Sequence, residues 1–405
     1  VRYNLVIEVV RYTTYKYFLI PPLINSLVTK RKFLLVLLIS FIVGCGGGFY
    51  IYKKEAKIAD FFIVGNNNSI VAGSTSKLYR VNGMTQSGKE PQIVVFSFDG
   101  SRSLPFWDSS FAFQNEMERM GKSIRFTYFI SGVYFLSPIY KDHYQSPGGK
   151  KGISAVGFAN SDDDIRARIL KVNEAIVQGD EIGSHVNGHF DGSKWTTAQW
   201  QNELKSFRDL IFNIAQNNHF STTSTPLLLK PSDVIGFRAP LLDRNASMFK
   251  ALAMGGYQYD ASLIDFNKEW PEKNKDKLWE FPLEIIKFRE PKTYSISMDY
   301  NFYQTQTGAR NTLKKNTPAW TAARNQVEKA YMNYFTSQYL SDRVPVYIAN
   351  HFNLWNDGVY WEATKDIARE ICGKPEVYCV TYREMIEYLN TRSQKHIPNT
   401  IGQRI

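Results

Sequence analysis

Ile93-Val94-Val95-Phe96-Ser97-Phe98-Asp99-Gly100 is an almost unbroken apolar run that ends in a carboxylate and a glycine. Branched and aromatic side chains without polar alternation predict a strand buried on both faces, as in a parallel sheet covered by helices. Asp99 then falls at the strand's end, where parallel α/β folds carry their reactive groups.

Working outward, further strand-like runs occupy residues 125–130, 346–348 and 377–381, and helical patterns occupy Asp162–Gln178 and Thr197–Ala215. Strands alternating with helices in this way predict a parallel α/β barrel. The segment from Lys292 to Thr317 is rich in Tyr, Thr, Gln and Asn and reads as a long insertion near the substrate face.

Downstream of the first strand, Asp180-Glu181-Ile182-Gly183 leads into Ser184-His185-Val186-Asn187-Gly188-His189. Histidines four apart are expected on one helix face, close enough for both imidazoles to hold one metal ion that activates water. An isolated pair more often only caps or stacks on a helix. Here it stands between Phe98-Asp99-Gly100 and Phe237-Arg238-Ala239-Pro240, and the set points to a hydrolase.

The order of these motifs resembles the polysaccharide deacetylases of carbohydrate esterase family 4. Five segments carry the resemblance: Ser97-Phe98-Asp99-Gly100, His185 to His189, Arg238-Ala239-Pro240, Tyr259-Asp260-Ala261-Ser262 and Asn350-His351. It extends over roughly residues 91 to 390. Arg238-Ala239-Pro240-Leu241-Leu242, Trp279-Glu280-Phe281-Pro282 and His351-Phe352-Asn353-Leu354-Trp355 look closest to the branch containing the animal chitin deacetylases. The resemblance implies a distorted (β/α) barrel with fewer repeats than eight.

It also implies roles. His185 and His189 would hold a divalent metal, zinc by default. The family pairs two aspartates where this chain has Asp99-Gly100, so Asp99 is either the general base or a metal ligand; Asp108 or Asp191 could supply a replacement carboxylate. Arg238 would orient Asp99. His351 would protonate the departing amine, tuned by Asp260. The backbone N–H of Leu241 would polarise the acetyl carbonyl, and Trp355 would line the sugar groove with Met298-Asp299-Tyr300. His143, His219 and His396 match no motif.

Composition agrees. With 405 residues and 43% hydrophobic content, the chain can build one large domain with a full core. Trp107, Trp195, Trp270, Trp279, Trp355 and Trp361 lie near or between the motifs, where most would be core residues and some could stack on sugar rings. The formal charge is +11, but residues 1–45 hold six basic side chains against one acidic, and the remaining cations form no block. A nucleic-acid partner is therefore not expected.

Lys30-Arg31-Lys32, the apolar Phe33 to Val43 and Gly44-Cys45 have the layout of a secretory signal and resemble a bacterial lipoprotein signal with Cys45 acylated; a plain membrane anchor is the alternative. The first 29 residues fit no ordinary signal and read as upstream translation. Residues 46–90 are expected to form a tether with a few β-strands, 91–393 the catalytic domain and 394–405 a tail. Cys372 and Cys379 could close a small disulfide loop in an oxidising compartment.

The resulting expectation is an exported, lipid-anchored, metal-dependent hydrolase of the cell envelope. It would remove N-acetyl groups from an amino-sugar polymer, peptidoglycan first and chitin second. The competing expectation is a carbohydrate-binding protein whose chemistry was lost with Gly100.

Overall fold

Along β1 (Gln92–Gly100), Ile93 and Val95 belong to one apolar cluster while Val94, Phe96 and Phe98 belong to another. Successive strand residues face opposite sides, so the first set fills the inside of a barrel and the second lies beneath helices. The structure is a computed structural model that describes residues 81, 88–221, 226–289 and 293–395. The signal segment with Cys45, most of the expected extension over 46–90 and the tail beyond 395 lie outside the described residues.

The chain after β1 runs α1 (Leu104–Arg119), β2 (Phe126–Ile130), α2 (Asp162–Gln178), β3 (Glu181–Ser184), α3 (Thr197–Phe212), β4 (Gly236–Phe237), α4 (Ala246–Met254) and β5 (Tyr259–Asp265). It continues with β6 (Trp279–Arg289), β7 (Thr293–Ile296), α5 (Asp299–Thr307), α6 (Pro318–Leu340), β8 (Val346–His351), α7 (Trp355–Ile371), β9 (Val377–Cys379) and α8 (Tyr382–Lys395). The strand order is β7-β6-β5-β4-β3-β2-β1-β8, with β9 beside β1. Every pairing is parallel except the β6–β7 hairpin.

The two ends of that order meet. Met298, just past β7, bridges Ala349 in β8, and the Ala349 N–H donates to the Ser297 carbonyl at 2.9 Å. The sheet thus returns on itself as a distorted parallel barrel, as the sequence led one to expect. Inside it, the Tyr382 ring stacks on Phe281 at 5.0 Å and on Tyr347 at 5.9 Å.

Local signals set the element ends. Ser161 caps α2 by accepting from the Asp164 N–H, three aspartates occupy its positive first turn, and Gly179 ends it at φ +84°. Thr196 and Gln199 form a capping box on α3, which stops at Phe212 rather than Ala215; Ile214–Asn217 adds one separate turn. Within the expected insertion, Thr293–Ile296 forms β7 and Asp299–Thr307 forms α5. Cys372 and Cys379 are disulfide-bonded, tying the end of α7 to β9. Among the described residues, no helix is long and apolar enough to cross a membrane.

Candidate active site

Parallel strands all deliver their last residues to one rim, and the motif residues gather there. Asp99 follows Ile93, Val95 and Ser97 on the inward side of β1 and is only 4% exposed. Arg238 leaves β4, with its N–H on the Ser184 carbonyl at 3.0 Å, and its side chain is completely buried. The guanidinium donates to Ala261 O (2.9 Å), Ser97 Oγ (3.0 Å), Asp99 Oδ1 (2.9 Å) and Tyr382 Oη (3.0 Å), and lies over the Phe129 ring. Burial pushes the Asp99 carboxyl up, but Arg238 together with the nearby His185 and His351 outweighs it and holds the carboxyl below its ordinary range.

The histidine pair is assembled differently from the sequence expectation. Residues 185–189 are a loop, not a helical turn: Val186 has φ +45° and His189 φ +58°. Bonds from the surrounding chain fold this loop. Gly132 N–H donates to Val186 O (2.8 Å), Ala155 N–H to Gly188 O (2.8 Å) and Gly188 N–H to Tyr144 Oη (3.1 Å). A Cβ on Gly188 would sit 2.6 Å from that tyrosine oxygen, so the glycine is needed for the close approach. The two imidazole centres end 5.2 Å apart.

His185 Nδ1 lies 2.8 Å from the Arg238 carbonyl. A carbonyl only accepts, so Nδ1 carries the proton and Nε2 is left with its lone pair. Burial lowers the His185 pKa to about 4 and lowers that of His189, so both rings are neutral near neutrality, the form that binds a metal. The pair therefore fits two positions of a divalent first-row ion. Among the described residues no group of three His, Cys, Asp or Glu is placed to hold one. Asp99 Oδ1 is paired with Arg238 at 2.9 Å. Of the alternative carboxylates, Asp108 pairs with Lys171 at 2.6 Å, and Asp191 accepts from Ser193 N–H at 2.8 Å.

His351, the last residue of β8, is a quarter exposed, and its Nδ1 lies 2.7 Å from Asp299 Oδ1. Asp299 Oδ2 also accepts the His351 backbone N–H at 2.8 Å, so one carboxylate fixes both the strand end and the ring. Burial lowers the imidazole pKa, but Asp299, with a smaller contribution from Asp99, reverses it and the net shift is upward.

The expected Asp260–His351 contact is not formed. Asp260 is fully buried, pairs with Arg244 at 3.0 Å and accepts from Ser262 Oγ at 2.5 Å. Ser262 in turn accepts the Ala239 N–H at 2.7 Å, so Asp260 braces the loop that carries Leu241. Asp299 and His351, 52 residues apart, meet where the end of β7 closes against β8.

Leu241 and Leu242 sit at φ +58° and +59°, a left-handed pair that branched side chains rarely adopt. The turn exposes Leu241 by 61%, and its N–H has no acceptor among the described residues. Trp355 stacks on Tyr303 at 4.9 Å, with Tyr300 and His351 against its other sides. Asp99, His185, His189, Leu241, His351 and Trp355 line a single cavity of about 690 Å³. It thus presents an ionised carboxylate, a raised-pKa imidazole, two neutral imidazoles and a free N–H, the components of general acid–base hydrolysis.

No family model and no curated protein matches the chain. Among solved structures, it is similar to a Mycobacterium smegmatis protein provisionally described as a polysaccharide deacetylase (16% identity, TM-score 0.46, covering 78% of this chain and 95% of that one). It is also similar to the peptidoglycan deacetylase PdaC of Bacillus subtilis (10%, TM-score 0.38, 77% and 98%). A carbohydrate esterase family 4 pseudoenzyme of Bacillus anthracis matches at 6% identity and TM-score 0.35, over 71% of this chain and 63% of that one.

Proposed function

We propose that this chain is a polysaccharide deacetylase of the carbohydrate esterase family 4 type, removing N-acetyl groups from amino sugars in a polymer, with peptidoglycan as first substrate and chitin as second. The observation that carries this reading is the meeting of the Asp99–Arg238 and His351–Asp299 pairs in one cavity, with opposite pKa shifts. Two titratable groups whose surroundings push them apart define a base and an acid.

Asp99 accepts a proton from water as its oxygen adds to the acetamide carbonyl. The oxyanion that forms is met by the Leu241 N–H. His351, as imidazolium, gives its proton to the sugar nitrogen as the C–N bond breaks, leaving acetate and a free amine. A divalent ion on His185 and His189, zinc first, would add Lewis-acid polarisation and a more acidic water when bound. The Cys372–Cys379 disulfide supports an exported protein, and a lipid anchor at Cys45 would keep it at the cell envelope.

A second reading, a sugar-binding protein without turnover, is favoured by the incomplete ligand set at Gly100. Acetate release from peptidoglycan and chitin oligomers, with metal content measured on the same protein, separates the two. Acetate lost in both His185→Ala and Asp99→Asn supports the hydrolase; polymer binding with no acetate from the unaltered chain replaces it with the binding protein.

A further inference from the structure

Gly100 does more than leave a ligand position open. It has φ +116° and Ser101 follows with φ +107°, so the chain leaves β1 in a turn that a residue with a Cβ rarely adopts. The turn is locked from behind: the buried Arg168 donates to Ser101 O at 2.9 Å and to Arg102 O at 2.9 Å. Its product is the position of Arg102. This side chain lines the catalytic cavity and also an adjoining cleft of about 480 Å³, the two sharing Arg102 and Phe352.

Asp164 also lines that cleft, but Asp164 is paired with Arg168 at 3.0 Å and accepts the Asn160 N–H at 3.0 Å. Arg102 bonds only neutral oxygens, Val156 O at 3.2 Å and Asn160 Oδ1 at 3.3 Å, and makes no ion pair among the described residues. Asp164 is thus held by Arg168, and Arg102 stands at the junction of the two cavities without a carboxylate partner among the described residues. Arg102 is exposed, keeps unused donors, and offers the planar fork that matches a carboxylate.

Building on the polysaccharide reading, we infer that Arg102 forms a subsite for a carboxylate on a sugar unit neighbouring the one whose acetyl group is removed. The substrate is then an anionic glycan, and a neutral homopolymer of N-acetylglucosamine lacks the group that Arg102 recognises. The carboxylate could sit on the sugar ring, as in a uronic acid, or on an ether-linked lactyl arm.

The test measures affinity and acetate release separately on the full chain. Four length-matched oligosaccharides are compared: neutral, uronate-bearing, lactyl-bearing, and lactyl-bearing with the carboxyl reduced to an alcohol. The unaltered protein is expected to bind one carboxylated series about tenfold more tightly than the neutral one at low salt, since charge-assisted bonds exceed neutral ones. The preference should shrink as salt is raised. Arg102→Gln should abolish the preference for the carboxylated series over the neutral one, and Arg102→Lys should keep part of it. The inference is overturned if carboxyl reduction leaves affinity unchanged, or if Arg102→Gln weakens neutral and anionic ligands equally. Preferential binding without acetate from any series would keep the subsite and remove the hydrolase. Acetate from all series at equal efficiency, with no binding preference, would keep the hydrolase and remove the subsite.

Discussion

The two walls of the cavity solve the same electrostatic problem in opposite ways. On the β1–β4 wall, Asp99 is sealed inside the barrel against a guanidinium whose donors are satisfied by four oxygens, and the product is a carboxylate kept ionised. On the β8–α5 wall, His351 is partly open to solvent and takes both its ring and its backbone support from Asp299; the product is an imidazole whose protonated form is favoured. In one case a buried cation holds an anion, in the other a buried anion holds a cation. The comparison teaches that the acid and base states are separated by what each group is paired with, since burial alone opposes both charges.

The largest expected effect comes from breaking the first wall. Arg238→Met leaves Asp99 as an unpaired buried charge, and chemical denaturation should show a loss of about 3–5 kcal/mol. Breaking the second wall should leave the fold and stop the chemistry. His351→Gln is expected to lower kcat for acetate release about 100-fold with little change in denaturation midpoint.

Gly100→Asp sharpens the contrast between a missing ligand and a required turn. Because the position lies at φ +116°, the change should cost about 1–2 kcal/mol in stability, and equilibrium dialysis should show no gain in metal affinity. If affinity rises instead, the β1 exit is more adaptable than its locked turn implies.

Asp299→Asn tests the source of the His351 shift. Asp299 raises the imidazole pKa, so the cation is favoured below that raised value and is lost as pH rises through it. Removing the carboxylate should move the basic limb of the pH–rate profile to lower pH, whereas Asp260→Asn should leave that limb in place. A limb that follows Asp260 would return the tuning role to that residue. The smallest effect is expected at the aromatic rim: Trp355→Ala should weaken oligosaccharide binding by about 0.5–1.5 kcal/mol, read by titration calorimetry.

Much of the fold is legible in the sequence. The apolar run of β1, the limits of α2 and the alternation of strands with helices are local statements, set by side-chain periodicity and by caps within a few residues of each end. The identity of the residues gathered at the cavity was legible too, since Asp99, His185, His189, Leu241, His351 and Trp355 all line it. Their geometry was not. A spacing of four suggested a helix for His185 and His189, but backbone bonds from distant segments fold that stretch into a loop.

The sequence by itself determined which chemical groups exist and roughly where each strand ends, because those properties are carried by neighbouring residues. Tertiary structure alone decided that Asp299, not Asp260, faces His351, that Asp99 turns to Arg238, and that Arg102 stands between two clefts without an ion pair among the described residues. The physical reason is barrel closure. Parallel strands bring to one rim residues separated by tens to hundreds of positions, and which of them touch depends on register and on left-handed turns that no local pattern announces.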